Sequence, residues 1–152
     1  MKKLVAGVIA VIMLVSFCSV GFAEELVTVK INDQVVDFTD ENGNIVPAQI
    51  INDRTMVPMR KTFELLGATV NWFEAEEAIV ATTRDGKIIT MKIGAEFMVV
   101  ADISKRTQEK ITLEVPAMIV NDRTLIPARA IAESLGYNVD WDEATQTVLI
   151  SK

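Results

Sequence analysis

The chain has no histidine and a single cysteine, Cys18, in 152 residues. Without an imidazole, neither a Ser-His-Asp nor a Cys-His nucleophilic system can be assembled, and the usual zinc and copper donor sets are out of reach. No glycine-rich loop opens a helix in the pattern that cradles phosphate. Aromatic residues are scarce too, with one tyrosine and two tryptophans, Trp72 and Trp141. Basic residues number 15 against 21 acidic ones. An acidic chain repels phosphate backbones, which argues against nucleic acid as a partner. The one basic cluster, Lys105, Arg106 and Lys110, is diluted by Asp102 and Glu109 and is expected to be a solvated loop.

The only long apolar run is N-terminal. Met1-Lys2-Lys3 is a basic start, Leu4 to Val20 is almost wholly apolar, and Gly21-Phe22-Ala23 offers small residues where a signal peptidase reads. Residues 1–23 are therefore expected to be a signal peptide, cut between Ala23 and Glu24. The run is near the lower limit for crossing a bilayer. Val15-Ser16-Phe17 places an aromatic where a lipobox before Cys18 needs a small residue. The expected product is residues 24–152, secreted or wall-associated, with neither a retained membrane span nor a cysteine. Losing Lys2 and Lys3 leaves 13 basic against 21 acidic side chains, a net charge of −8. Its stability is then expected to come from packing and not from disulfides.

What the sequence does contain, it contains twice. Ile51-Asn52-Asp53-Arg54-Thr55-Met56-Val57-Pro58-Met59-Arg60 returns as Val120-Asn121-Asp122-Arg123-Thr124-Leu125-Ile126-Pro127-Ala128-Arg129. Leu66-Gly67, Val70-x-Trp72 and Glu74-Ala75 return as Leu135-Gly136, Val139-x-Trp141 and Glu143-Ala144, and Val46-Pro47-Ala48 returns as Val115-Pro116-Ala117. The offset is 69 throughout, the signature of an internal duplication.

Each copy reads as an α+β unit. Residues 26–38 form two β-rich runs around Asn32-Asp33, and residues 89–100 supply a counterpart at an offset of 62, so each unit is expected to begin with a hairpin. The next connection is Thr39 to Ile45 in the first unit and the longer Ala101 to Glu114 in the second, read as a loop insertion. Short strands then flank Asn52-Asp53 and Asn121-Asp122, residues that tolerate the left-handed turn conformation. Pro58 and Pro127 suit the first position of a helix, and Gly67 and Gly136 its αL stop. A closing hairpin carries Val70 and Trp72, or Val139 and Trp141, on one strand face. The expected fold is α+β: a duplicated unit of β-hairpins and short strands with one short helix per unit, the repeats covering about 26–83 and 88–152.

The candidate site residues are the paired ones. Arg54 and Arg123 follow the Asn-Asp turns. Arg60 and Arg129 sit in the first helical turn, with Glu64 and Glu133 four residues on. They can act as guanidinium forks for a carboxylate ligand, or as ties from a turn or strand end to its own helix, which is the expected role. Trp72 and Trp141 can stack on sugar rings or pack in the core, and their alternation with Val70 and Val139 favours the core. Asp40-Glu41-Asn42-Gly43-Asn44 departs from the calcium-loop pattern and reads as a turn. Glu74 with Glu76, and Asp140 with Asp142, are carboxylate pairs of the kind used by glycosidases, but they fall at turns where nothing desolvates them.

Asn-Asp-Arg-Thr-(Met/Leu)-(Val/Ile)-Pro-x-Arg, then Glu-x-Leu-Gly and Val-x-Trp, resembles the copper amine oxidase N-terminal-like domain, or stalk domain, over essentially all of residues 24–152. The resemblance implies a small, non-catalytic α+β module of secreted and cell-surface bacterial proteins. It does not imply copper or amine oxidation. The oxidase chemistry uses three histidines and a quinone made from a tyrosine preceded by asparagine, whereas Tyr137 here precedes Asn138. No catalytic residue, cofactor or metal is expected. The expected function is a secreted, non-catalytic cell-envelope module that binds or spaces wall polysaccharide or envelope proteins. The alternatives are a small carboxylate-dependent cell-wall glycan hydrolase and a surface protein that self-associates into homo-oligomers through exposed hairpin edges.

Overall fold

A computed structural model describes residues 27–152; the leader, its cleavage point and Cys18 lie outside the described residues. In chain order the elements are β1 (Thr28–Ile31), β2 (Gln34–Val35), β3 (Gln49–Ile51), β4 (Arg54–Pro58), α1 (Met59–Leu65), β5 (Ala68–Phe73) and β6 (Ala78–Thr83). There follow β7 (Lys87–Lys92), β8 (Phe97–Asp102), β9 (Thr107–Thr112), β10 (Met118–Val120), β11 (Arg123–Pro127), α2 (Ala128–Ser134), β12 (Asn138–Asp142) and β13 (Thr147–Ser151). The described residues are mostly β with two helices of 7 residues each, consistent with the α+β expectation. Among the described residues no helix is long and apolar enough to cross a membrane.

Three sheets form. The central one has the order β10-β11-β4-β3, and its middle is the antiparallel pair β4 and β11. Val57 lies opposite Ile126, Met56 opposite Pro127, and Pro58 opposite Leu125. The flanking hairpins β3-β4 and β10-β11 pair in the same register, Ile50 with Thr55 and Ile119 with Thr124. Both turns use left-handed Asn-Asp pairs, with φ 49° and 61° at Asn52 and Asp53 and again at Asn121 and Asp122. Both helices stop at a glycine with positive φ, 85° at Gly67 and 84° at Gly136. Each helix also packs on the other half's strand, α1 on β11 and α2 on β4. One apolar core results, running from Val27 to Ile150 and including Val57, Phe63, Ile79, Met98, Ile126 and Ile131. A smaller cluster of Met56, Val115 and Leu125 lies apart from it.

Several expectations need correction. Pro58 and Pro127 do not open the helices. Each is the last residue of its strand, with extended ψ of 125° and 114°, and the helix begins one residue later. Ala101 to Glu114 is not a loop. It holds the end of β8 and all of β9, which pair from Phe97 with Thr112 to Asp102 with Thr107. Of the basic cluster, Lys105 and Arg106 lie in the turn but Lys110 lies within the strand.

The two opening hairpins are also not equivalent. β7 follows β6 through a short turn and must run antiparallel to it, whereas β1 reaches β13 from elsewhere and runs parallel, Val29 beside Val148. β2 is only 2 residues long, against 6 for β8. The last correction concerns the arginines and belongs to the site.

Candidate binding cleft

The Asn-Asp turn aims the following arginine away from its own helix. Arg54 donates from Nε to the Glu114 carboxylate and from Nη1 to the Asp53 carbonyl oxygen at 2.8 Å. Arg123 donates from Nη2 to the Asp40 carboxylate. Each turn arginine thus clasps an acid just upstream of the other half's motif, and not its own helix as expected. The reason is the antiparallel β4-β11 pair, which carries each turn across to the opposite half.

Of the helical arginines, Arg129 does tie its own helix. It reaches Glu133 at 3.2 Å and the Val139 carbonyl oxygen at 3.0 Å. Among the described residues Arg60 forms no ion pair with Glu64.

The carboxylates respond to these contacts. The hydrogen bond from Arg54 holds Glu114 below its ordinary pKa, with the guanidinium charge adding to it. Asp40 is held low first by the backbone N–H of Asn44, then by the Asn44 amide, the Asn42 N–H and the charge of Arg123. The Asp40–Asn44 segment is a hydrogen-bonded turn, its Asp40 Oδ1 accepting from Asn42 and Asn44 N–H at 2.8 Å each.

Both tryptophans are half-buried against the core. Trp141 is further held by a hydrogen bond from its Nε1 to Glu143 at 2.6 Å. It lines an open cleft of about 1040 Å³ bounded by the β3-β4 turn, the β8-β9 hairpin, α2 and β12. The floor is apolar, with Val100, Ile111, Leu113 and Val148. The walls carry six carboxylates, Asp53, Glu109, Glu114, Glu133, Asp140 and Glu143, and two guanidiniums, Arg54 and Arg129. Arg60, Trp72 and Arg123 are not among the lining residues. The structure therefore brings together one member of each candidate pair.

The reason lies in the second copy's smaller residues. Where α1 has Met59, Lys61 and Leu65, α2 has Ala128, Ala130 and Ser134 at the same offset of 69, and all three line the cleft. The β9 strand supplies another wall through Glu109, Ile111 and Thr112. Identity between the copies does not point to these residues as a site. The size difference at matched positions was the available signal.

A concave site with an apolar floor, an aromatic side chain in its lining and charged walls has the general make-up of ligand sites. Its lining lacks the nitrogen and sulfur donors that copper takes. Histidine is absent from the whole chain and no cysteine lies beyond Cys18. Among the described residues no three His, Cys, Asp or Glu side chains converge. The donor set does not fit copper. Tyr137 is engaged elsewhere, its hydroxyl donating to the Leu66 carbonyl oxygen at 3.4 Å.

No curated protein matches the chain at a significant level. A family model does match, over residues 27–150, which span both Asn-Asp turns, both helices and the cleft. The chain belongs to the copper amine oxidase N-terminal domain family.

Proposed function

We propose that the chain is a secreted, non-catalytic module of the cell envelope that binds or spaces a wall polymer or protein partner through the cleft at Trp141. Family membership supports the non-catalytic part, because the N-terminal domain of copper amine oxidases carries no catalysis. The sequence of residues 1–23 supports export. The observation that carries binding is the cleft itself, with an indole half-buried and pinned by Glu143 above an apolar floor. Matched strand registers, turns and helix stops at an offset of 69 support its origin by duplication of one α+β unit.

Retention on isolated envelope material tests the proposal. The wild-type chain is expected to be retained and to release no sugar from purified wall. Trp141→Phe is expected to lose retention while Trp72→Phe keeps it, both variants remaining folded. Equal retention by all three would remove the cleft from the proposal. Sugar release that Glu143→Gln abolishes would replace a binding module with a hydrolase.

A further inference from the structure

Three sheets end at the cleft. β9 is the outer strand of the five-stranded sheet, β12 the outer strand of the β12-β13-β1-β2 sheet, and β3 the outer strand of the central sheet. All three contribute lining residues: Ile111 from β9, Trp141 from β12 and Ile50 from β3. An outer strand presents a row of backbone N–H and C=O groups that a further strand can pair with. The β12 edge is partly covered, since Arg129 takes the Val139 carbonyl oxygen at 3.0 Å. The β9 edge is paired only to β8. Ile111 and Thr112, neighbours in β9, both line the cleft, so the strand offers it both of its side-chain faces, and Leu113 to Val115 continue the lining past the strand's end.

Charge narrows the occupant. Arg54 and Arg129 are already taken by Glu114 and Glu133. Asp53, Glu109, Asp140 and Glu143 have no ion-pair partner among the described residues. The ammonium of Lys110, next to Glu109, stands instead over the Phe97 ring at 3.9 Å. Lys87 is the other cation nearby, its Nζ donating to the Ser134 carbonyl oxygen at 3.3 Å.

We infer that the cleft binds an extended, lysine- or arginine-bearing segment of another protein, which adds a strand to β9 and sets its cations against Glu109, Asp140, Glu143 and the face of Trp141. This rests on the binding role proposed above and names the partner's chemistry. An anionic wall polymer would meet four uncompensated carboxylates. A neutral glycan could stack on the indole but would leave the β9 edge unused. A lysine or arginine beside the indole gains a cation–π contact, and apolar residues at alternate positions of an added strand can meet the Ile111, Leu113 and Val148 floor.

The test uses the full chain, expressed with its own N-terminus so that any processing takes place. The probe is a synthetic octapeptide alternating lysine and valine, its binding followed by fluorescence anisotropy. A glutamate-valine octapeptide, a backbone N-methylated lysine-valine octapeptide and a neutral chitin hexasaccharide serve as comparison probes. The lysine peptide is expected to bind, the N-methylated form at least about tenfold more weakly, and the glutamate peptide not at all. Glu109→Gln and Glu143→Gln should each weaken binding about two- to fivefold, as loss of an exposed ion pair does, and the effect should shrink with added salt. Ala130→Lys, which gives α2 the residue α1 has at that place, should weaken it further.

Glu74→Gln removes the same charge from the first copy and should change nothing. An equal loss in Glu74→Gln would mean general attraction to an acidic protein, and would overturn the inference. So would equal binding of the N-methylated peptide, or binding of the hexasaccharide in place of the peptide. Retention on envelope material without peptide binding would defeat this inference alone, whereas no retention and no peptide binding would defeat the binding role as well.

Discussion

The two halves of this molecule share a motif and differ in what surrounds it. At the centre they match closely. Val57 faces Ile126, its own counterpart at an offset of 69, and the Asn-Asp turns have the same backbone angles. Away from the centre they diverge. The last strand of the first half, β6, pairs antiparallel with β7, which leads into β8 and β9, whereas the last strand of the second half, β13, lies parallel beside β1. Trp141 consequently lines a cleft to which β9 contributes, and Trp72 does not line it. A repeated motif can thus build a common frame while a binding site arises from the places where the copies are unlike.

The helices carry the sharpest difference within the core. Phe63 and Ala132 occupy matched positions and both are fully buried. The two helices therefore fill one core unequally, α1 with a large side chain and α2 with a methyl group. Phe63→Ala is expected to be the most damaging single change, costing about 3–5 kcal/mol as a core phenylalanine truncation does. Ala132→Phe should destabilise less, by about 1–3 kcal/mol, through overpacking. Chemical denaturation of both variants checks the order. If Ala132→Phe cost nothing, or were even stabilising, the space over α2 would be larger than its buried methyl implies.

The glycine stops test sameness where the helices end. A Cβ at Gly67 or Gly136 would meet nothing within 4 Å, so the cost of Gly→Ala is conformational alone. With φ of 85° and 84°, the two losses should be about 1 kcal/mol each and equal within experimental error. Melting temperatures that fall unequally would show that one helix end rearranges to relieve the strain and the other cannot.

These comparisons also show what was legible beforehand. The Asn-Asp turns, the glycine stops and the strands carrying the tryptophans follow from local backbone chemistry, and the residues that impose it are visible in the sequence. The strand β9 was not legible. Thr107-Gln108-Glu109-Lys110-Ile111-Thr112 has no apolar alternation and is exposed apart from the half-buried Ile111, so it is held by backbone pairing to β8 and not by burial. The arginine partners were hidden for a different reason. Arg54 and Glu114 are 60 residues apart, and Arg123 and Asp40 are 83 apart. Only the crossing of β4 and β11 brings them together. The cleft lay between these cases, since its small residues were plain to see but acquired meaning only beside their larger counterparts.

The arginine clasps give the smallest expected effect and the finest distinction between the halves. Glu114 is exposed and Asp40 half-buried, but both arginines are exposed to solvent, so neither clasp should matter much to overall stability. They differ in what depresses the acid. Glu114 depends first on the Arg54 hydrogen bond, whereas Asp40 depends first on the Asn44 N–H, with the charge of Arg123 last. A carboxyl bound more tightly to its charged form in the native state than in the unfolded one stabilises the fold fully above its unfolded pKa. That contribution is lost as pH falls through the lower native pKa, here below about pH 4. Carboxyl carbon chemical shifts followed through an acid titration separate the two cases. Arg54→Ala should return Glu114 to the ordinary glutamate range, while Arg123→Ala should move Asp40 only slightly because the turn around Asn44 remains. If Asp40 moved as far as Glu114, its depression would come from the clasp and not from the turn, and the two halves would be alike at the one point where their acids are differently held.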